Sequence, residues 1–211
     1  MNMELPKHLL SVGGDSVIRH TVRAFERAGS IDSIVIVCAK EQISKLCEQT
    51  AEFKKVIAVT EGGESRMESA RLGFSLLPDE ADMIAIHDGA RCLILPEEID
   101  LVVSEAKKNG CATAGAAVVD TVKYTVNGMS SKTVPRDSLF LAHTPQVFDR
   151  EIYASALGAA TDISAFTDDN SLVEAMGVSV KCVDTGRTNI KLTTPEDLSY
   201  AEFILSKRGG K

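Results

Sequence analysis

Short apolar runs of strand length alternate along the chain with segments whose apolar residues recur at helical spacing. The runs are nearly continuous and rich in β-branched residues, which is typical of strands buried on both faces of a parallel sheet. We predict strands at residues 31–38, 56–59, 83–87, 112–119 and 178–183. We predict helices at residues 16–28, 41–50, 65–77, 96–109, 148–159, 168–176 and 195–205. This alternation predicts one α/β domain over residues 1–211, Rossmann-like, with a mostly parallel, doubly wound sheet.

One segment interrupts this alternation. Residues 121–134 have the pattern of two short polar strands joined at Asn127-Gly128, a dipeptide that favours tight hairpin turns. The segment is too polar for the core, so we predict a β-hairpin arm, residues 121–136, that projects from the sheet. Because an isolated hairpin is only marginally stable in water, we expect the arm to pack on a partner.

Composition excludes several classes of function. The net charge of -7 argues against binding to nucleic acids and to anionic membranes. No apolar run approaches the roughly 20 residues that a bilayer-spanning helix needs. The five cysteines are scattered and form no Cys-x-x-Cys pair, which indicates reduced thiols. The first residues lack the pattern of a secretory leader, and we expect a cytoplasmic protein.

Candidate binding groups follow the predicted strands, where ligands bind in open α/β sheets. Asp88 and Arg91 come just after the strand at residues 83–87, where they could hold a ribose hydroxyl or a metal–phosphate group. An ordinary structural ion pair is the alternative. Gly62 and Gly63 follow the preceding strand, and they allow either close approach of a ligand to the backbone or a simple turn into a helix.

The other polar motifs have structural explanations when each is taken alone. Thr144-Pro145-Gln146 is typical of a short turn, and Thr167-Asp168-Asp169 is typical of a capped helix start. Lys7 and Lys191 are compatible with solvated surface charges. The chain contains no nucleophile elbow, no dinucleotide-binding fingerprint and no P-loop. The four histidines have no metal-ligand spacing, so the sequence predicts no protein metal site.

The order of the motifs is more specific than any one of them. It resembles the 2-C-methyl-D-erythritol 4-phosphate cytidylyltransferases of isoprenoid precursor synthesis over nearly the whole chain. The matching motifs are Pro6-Lys7, Gly62-Gly63-Glu64-Ser65-Arg66 with Ser69, His87-Asp88-Gly89-Ala90-Arg91, Asp120-Thr121-Val122-Lys123, Arg136, Thr144-Pro145-Gln146, Thr167-Asp168-Asp169 and the run from Asn189 to Leu198.

The resemblance implies an activity and a role for each matching residue. That family joins CTP to methylerythritol phosphate with Mg²⁺, and it releases pyrophosphate. By resemblance, the catalytic lysines are Lys7 on the triphosphate and Lys191 on the α-phosphate and the substrate phosphate. The cytosine would be met by Gly63, Glu64 and Ser69. The ribose and the metal–phosphate region would be held by Asp88 and Gly89, and methylerythritol phosphate by Arg91 and Thr144.

The resemblance also implies a homodimer. The arm would reach into the neighbouring subunit, where Thr121 and Arg136 would complete the substrate site. Members of the family open with a β-strand and a glycine-rich loop that ends in Arg-Met, and Met1 matches that methionine. We therefore expect the first strand, the glycine-rich loop and its arginine to be missing from this chain, which would leave a gap in the sheet.

Two other functions compete with this interpretation. Ribitol-5-phosphate cytidylyltransferase has the same chemistry with another alcohol, and Lys123 in the arm favours methylerythritol phosphate over it. A non-catalytic nucleotide-binding or dimeric scaffold would fit the absent glycine-rich loop. The retained charged residues of the motifs argue against a scaffold; they are Lys7, Asp88, Arg91, Arg136 and Lys191. A dehydrogenase is a more distant alternative because the dinucleotide fingerprint is missing.

Overall fold

The computed structural model describes residues 6–209, and the side chain of Lys7 lies outside the described part. In that part the helices are α1 Val17–Arg27, α2 Ile43–Thr50, α3 Arg66–Phe74, α4 Pro96–Asn109, α5 Arg150–Ala159, α6 Asp169–Glu174 and α7 Pro195–Gly209. The strands are β1 Ser11–Val12, β2 Asp15–Ser16, β3 Ile34–Cys38, β4 Val56–Glu61, β5 Met83–Ile86, β6 Cys111–Ala117, β7 Val122–Val126, β8 Met129–Val134, β9 Phe140–Asp149 and β10 Lys181–Asp184. No helix in residues 6–209 has the length and apolar character needed to cross a membrane.

The fold is α/β, but its main sheet is mixed: three of its four strands share one direction and one is reversed, so the predicted doubly wound parallel sheet is not confirmed. Four strands pair in the order β10-β6-β9-β5. β10 runs parallel to β6, whereas β9 runs antiparallel to both β6 and β5. Burial on both faces produces continuous apolar runs whatever the direction of the neighbouring strand, so the sequence pattern did not reveal the reversal.

The reversed strand β9 also corrects a second prediction. Thr144-Pro145-Gln146, expected to be a turn, lies inside this ten-residue strand. Proline lacks an N–H group and is normally excluded from central strands. Here Pro145 sits where the register between β6 and β9 shifts, so that no regular ladder bond is required of it. The proline therefore marks a local irregularity within a strand.

Helices cover both faces of the main sheet. Val147 of β9 packs with α1 and α4 on one face, whereas its neighbour Phe148 packs with α5 and α6 on the other. Both residues are fully buried. Because successive side chains of a strand point to opposite faces, β9 contributes to both cores at once.

A groove separates the main sheet from a smaller one. Among the described residues β3 pairs only with β4, and β5 pairs only with β9. The groove, of about 450 Å³, runs between residues 34–37 of β3 and all of β5, with α1 and α3 on its two faces. Cys38 and Gly89 line one smaller cavity, so β3 and β5 end at the same edge. Asp88 lies at that end of the groove.

The remaining strands form hairpins outside these sheets. β7 and β8 pair antiparallel around Asn127 and Gly128, whose φ angles of 49° and 78° are those of a tight hairpin turn. Most residues of this hairpin are exposed. Tyr124, Val126 and Met129 keep 60%, 62% and 74% of their surface accessible. The hairpin thus presents apolar side chains to its surroundings.

Candidate active site

Asp88 is the centre of a charged cluster just beyond the end of β5. Its carboxylate lies 3.0 Å from Lys191 Nζ, 3.4 Å from Arg91 Nε and 3.7 Å from Arg66 Nε. Burial acts to raise the pKa of Asp88, but the hydrogen bond and charge of Lys191, with the charges of both arginines, outweigh it and lower the pKa. One carboxylate therefore faces three cations, and the cluster suits an anionic ligand.

Arg66 is held in place by a buried carboxylate. It is the first residue of α3, whose N-cap Ser65 forms a reciprocal capping box with Glu68. Arg66 Nη1 donates to Asp169 Oδ2 at 2.6 Å, and Asp169 is fully buried. Burial would lower the pKa of Arg66, but the charge of Asp169 raises it. Tyr153 also donates its hydroxyl to Asp169, at 2.8 Å.

The loop that carries Lys191 is hydrogen-bonded to the turn after β5. Leu192 N donates to Ala90 O at 2.9 Å, and Arg91 Nη1 donates to Asn189 O at 2.8 Å. Asn189 is fully buried and donates its amide to Thr144 O at 2.9 Å. These bonds hold Lys191 beside Asp88, although the lysine side chain itself remains 47% exposed.

The turn between β4 and α3 has little room for side chains. A Cβ on Gly63 would lie 2.4 Å from Glu68 Cβ, and a Cβ on Gly62 would lie 2.6 Å from Ser69 Oγ. Gly63 N donates to Ser69 Oγ at 3.1 Å, and Glu64 N donates to the Glu68 carboxylate at 2.7 Å. The turn is thus compact, and its backbone donors are bonded locally.

His87 and Thr144 connect β9 to the turn after β5. Asp88 N donates to Thr144 Oγ1 at 3.0 Å, and the same hydroxyl lies 3.1 Å from His87 Nδ1. His87 Nε2 lies 3.1 Å from Arg91 O, and its ring packs on Phe25 with centroids 4.9 Å apart. Desolvation lowers the pKa of His87 to about 4, so the ring is neutral at pH 7.

The structure brings together some of the sequence-predicted residues and leaves others apart. Asp88, Arg91, Thr144 and Lys191 form one connected cluster. Gly89 lies beside it, and its carbonyl accepts from Thr21 Oγ1 at 3.0 Å. The turn with Gly63 and Glu64 borders the same region through Arg66, which begins α3 directly after it, and Ser69 lies in the first turn of that helix.

Two predicted residues lie at the base of the hairpin instead. Thr121 and Arg136 are both exposed. Arg136 Nη1 donates to Val119 O at 2.6 Å, and in the described residues neither side chain forms a hydrogen bond or ion pair with the Asp88 cluster. The backbone of Lys7 lies in a short 3-10 turn, Lys7–Leu9, but the predicted role of its side chain falls outside the described part.

Sequence reasoning did not assign a role to four residues of the site. Arg66 was part of a motif only, and Asp169 was fully explained as a helix start. Neither the approach of α6 to α3, across 103 positions of sequence, nor the enclosure of His87 and Asn189 can be read from local patterns. Their place in the motif order was the only available signal.

The described residues contain no group of three or more His, Cys, Asp or Glu side chains that could hold a metal ion. Mg²⁺ usually retains water and binds through one or two carboxylates together with substrate phosphates. Asp88, with an anion-attracting environment around it, has the chemistry of such a partial site. A metal here would therefore depend on ligands from a phosphorylated substrate.

Comparison with known proteins relates this arrangement to one family. A family model described as 2-C-methyl-D-erythritol 4-phosphate cytidylyltransferase matches residues 1–207. A protein of that name from Pelotomaculum thermopropionicum is 38% identical over 216 residues, which cover 100% of this chain and 91% of the relative. One from Dehalococcoides mccartyi strain CBDB1 is 40% identical over 199 residues, which cover 93% and 86%.

Solved structures agree with these relatives. The 4-diphosphocytidyl-2C-methyl-D-erythritol synthase of Anaerococcus prevotii superimposes with a TM-score of 0.82 at 27% identity, covering 93% of this chain and 88% of the other. The 2-C-methyl-D-erythritol 4-phosphate cytidylyltransferase of Thermus thermophilus superimposes with a TM-score of 0.78 at 27% identity, covering 95% and 94%. The chain belongs to the 2-C-methyl-D-erythritol 4-phosphate cytidylyltransferase family.

Proposed function

We propose that this chain transfers CMP from CTP to 2-C-methyl-D-erythritol 4-phosphate and releases pyrophosphate. The observation that carries the proposal is the convergence of Arg66, Arg91 and Lys191 on Asp88 at the carboxyl end of β5. This is the edge at which α/β sheets bind ligands. A protein of the matching family with such a cationic cluster is well suited to bring two phosphorylated substrates together.

The chemistry requires positioning and charge neutralisation more than proton transfer. The substrate phosphate is already an anionic nucleophile, so no general base has to activate it. Negative charge grows on the α-phosphate and on the departing pyrophosphate, and fixed cations stabilise it. Lys191 can serve both phosphates because its amine is held beside Asp88 but remains accessible.

The remaining roles follow the two sides of the site. We assign cytosine recognition to the compact turn of Gly63, Glu64 and Ser69, and the ribose and metal–phosphate region to Asp88 and Gly89. The alcohol phosphate is assigned to Arg91 and Thr144, and the triphosphate to Lys7. Support comes from the contacts of Arg91 and Thr144 with Asp88, and from Arg66, which joins the glycine turn to Asp88. The role of Lys7 rests on the family resemblance alone.

Mg²⁺ is the proposed metal, and Asp88 would hold it together with oxygens of the substrate phosphates. It would supply positive charge to the phosphates when bound. We also place the enzyme in the cytoplasm, where the five cysteines, all free thiols, would stay reduced. Omission of Mg²⁺ should abolish turnover, whereas adding it to the CTP-free protein should produce only weak binding because the phosphate ligands are then absent.

The hairpin is proposed to form the dimer contact. Its exposed Tyr124, Val126 and Met129 give it an apolar surface, and Thr121 and Arg136 at its base would enter the neighbouring site. A mixed-dimer experiment tests this arrangement. Arg136→Ala and Lys191→Met chains, each strongly impaired alone, should regain activity on mixing because one site in each mixed dimer has both residues. No recovery despite subunit exchange would contradict a shared site.

We further propose that an extended apolar segment fills the groove between β3 and β5. Helices cover both faces of the groove, and the two strands end at the same edge, so an inserted parallel strand would pair with both. A chain extended before Met1 by a strand and a glycine-rich loop should show slowed amide exchange in β3 and β5. Unchanged exchange rates in those strands would contradict the insertion.

Pyrophosphate release tests the proposed activity itself. The chain and its extended form are given CTP, Mg²⁺ and methylerythritol phosphate, with UTP and ribitol phosphate as alternative substrates. We expect release that requires CTP and methylerythritol phosphate together. Release that prefers ribitol phosphate would identify a ribitol-5-phosphate cytidylyltransferase. No release by either form of the chain would favour a non-catalytic nucleotide-binding protein.

A further inference from the structure

The hydrogen bonds around a neutral His87 ring have one consistent direction. Arg91 O can only accept, so His87 Nε2, 3.1 Å away, must carry the proton. In the neutral ring Nδ1 is then an acceptor, and Thr144 Oγ1, 3.1 Å away, donates to it. The same hydroxyl accepts from Asp88 N at 3.0 Å. The three bonds form a relay from Asp88 through Thr144 and His87 to Arg91.

The relay determines what Thr144 can offer a ligand. Its hydroxyl proton is directed at His87 and one lone pair at Asp88, so only one acceptor position remains. Thr144 is 4% exposed and Asn189 also holds its carbonyl, which leaves the side chain little freedom to turn. An acceptor in this position suits a hydroxyl group of an alcohol, and it does not suit a phosphate oxygen.

We propose that His87 is a positioning residue for the sugar-alcohol phosphate. It orients the hydroxyl of Thr144 and fixes the turn that carries Arg91, the two residues assigned to that substrate. This inference rests on the proposed function for its substrate. His87 touches neither substrate in this scheme; it acts through Thr144 and the Arg91 backbone.

Nitrogen NMR of the imidazole tests the relay without any turnover. The His87 ring should give the signals of a neutral ring protonated at Nε2, and Thr144→Val should shift its Nδ1 signal because the donor is lost. Thr144→Ser, which keeps the hydroxyl, should restore most of that shift. A ring protonated at Nδ1, or an Nδ1 signal that ignores Thr144→Val, would overturn the relay.

Kinetics test what the relay does. His87→Gln can still reach Arg91 O but loses the acceptor for Thr144. We expect the KM for methylerythritol phosphate to rise about tenfold, the size expected when one buried polar group loses its partner. The KM for CTP should rise less than the KM for methylerythritol phosphate, because the turn of Gly63 is untouched although Asp88 lies beside His87. A double-mutant cycle of His87→Gln with Thr144→Val should be non-additive because both changes break one bond.

His20→Gln serves as the matched control. His20 also lies on α1, and its Nε2 donates to Val12 O, 2.8 Å away, outside the relay. It should leave both KM values unchanged. Equal rises in both KM values for His87→Gln, or an additive cycle, would reduce His87 to a general structural role. If the unaltered chain shows no turnover, the proposed function fails, whereas the NMR result still decides the relay.

Discussion

The two sides of the groove differ in how extensively their strands and turns are hydrogen-bonded to one another. On one side β10, β6, β9 and β5 pair into one sheet, and residues 88–91 are bonded to Thr144 at its edge. On the other side β3 and β4 pair only with each other among the described residues, and the turn after β4 bonds mainly within itself. Arg66 links the two sides through its ion pairs with Asp88 and Asp169.

The difference suggests that the two sides have separate roles in substrate binding. The four-stranded side holds the charges that we propose bind the phosphates, whereas the β3–β4 side carries the glycine turn proposed to bind the base. Substitutions on the first side should therefore slow the transfer step and weaken binding of the alcohol substrate. Substitutions on the second side should weaken CTP binding. Substitutions of Arg66, which connects the two sides, should lower the stability of the fold.

Removing the amine of Lys191 should have the largest effect. Lys191→Met should lower kcat/KM by about 10²–10³-fold, the usual cost of losing one preorganised charge that stabilises the transition state. Lys181→Met, in β10, removes an exposed lysine of the same sheet and should change kcat/KM little. Steady-state rates of pyrophosphate release measure both, and equal effects of the two variants would contradict a specific role for Lys191.

Acid should destabilise the four-stranded side through His87. Its pKa, lowered by desolvation to about 4 in the folded protein, lies below the ordinary 6.5 expected when unfolded. The unfolded chain therefore binds a proton first, and stability is lost as the pH falls from about 6.5 towards 4. We expect the unfolding free energy to fall by about 2 kcal/mol. This is less than the full pKa difference would give, because the ring borders the open groove.

Urea unfolding at pH 7 and pH 5 measures this loss. His87→Gln should flatten the pH dependence between those values, whereas His20→Gln should leave it unchanged. Amide exchange at pH 5 should quicken first around β5 and β9, where the relay lies. A pH profile that is the same with and without His87 would contradict the assignment.

Breaking the link across the groove should have an intermediate effect. Arg66→Gln leaves the buried carboxylate of Asp169 without its cation, with the Tyr153 hydroxyl as a remaining donor. We expect a loss of about 2 kcal/mol in unfolding free energy, below the range for a fully buried pair because Arg66 is partly exposed. Arg71→Gln, exposed on the same helix, should cost less than about 0.5 kcal/mol in urea unfolding.

Crowding the glycine turn should have the smallest effect. In Gly63→Ala the new Cβ would lie 2.4 Å from Glu68 Cβ, so the turn must shift. We expect the KM for CTP to rise about tenfold, equivalent to about 1.4 kcal/mol, while the KM for methylerythritol phosphate stays constant. Gly158→Ala, with open space around it in α5, should be neutral or slightly stabilising. A rise confined to the KM for methylerythritol phosphate would contradict separate roles for the two sides.

Local patterns were sufficient for most elements but not for their directions. The helix predicted at residues 96–109 matches α4, because Pro96 and Gly110 mark its two ends. The pairing of β7 with β8 occurs at the expected Asn127-Gly128. Strand β9 was missed because Pro145 is typical of turns, and its tolerance depends on a register shift with a distant strand.

The site was predictable where it follows strand ends. Asp88 and Arg91 lie beyond β5 as expected, and the family order of motifs correctly placed Lys191 and Thr144 near them. The importance of Arg66, His87 and Asp169 depends on contacts between segments far apart in sequence. Such contacts have no local signature, since Asp169 alone looks like an ordinary acidic residue at a helix start.

The most direct test of the central claim is phosphorus NMR of the reaction products. CTP labelled at its α-phosphate is incubated with methylerythritol 4-phosphate, Mg²⁺ and the chain, with and without an added N-terminal strand and glycine-rich loop. We predict one new diphosphate in which the α-phosphorus of CTP is linked to the substrate phosphate, with an equal amount of pyrophosphate. Pyrophosphate accompanied by free CMP, or no change in either form, would contradict cytidylyl transfer by this site.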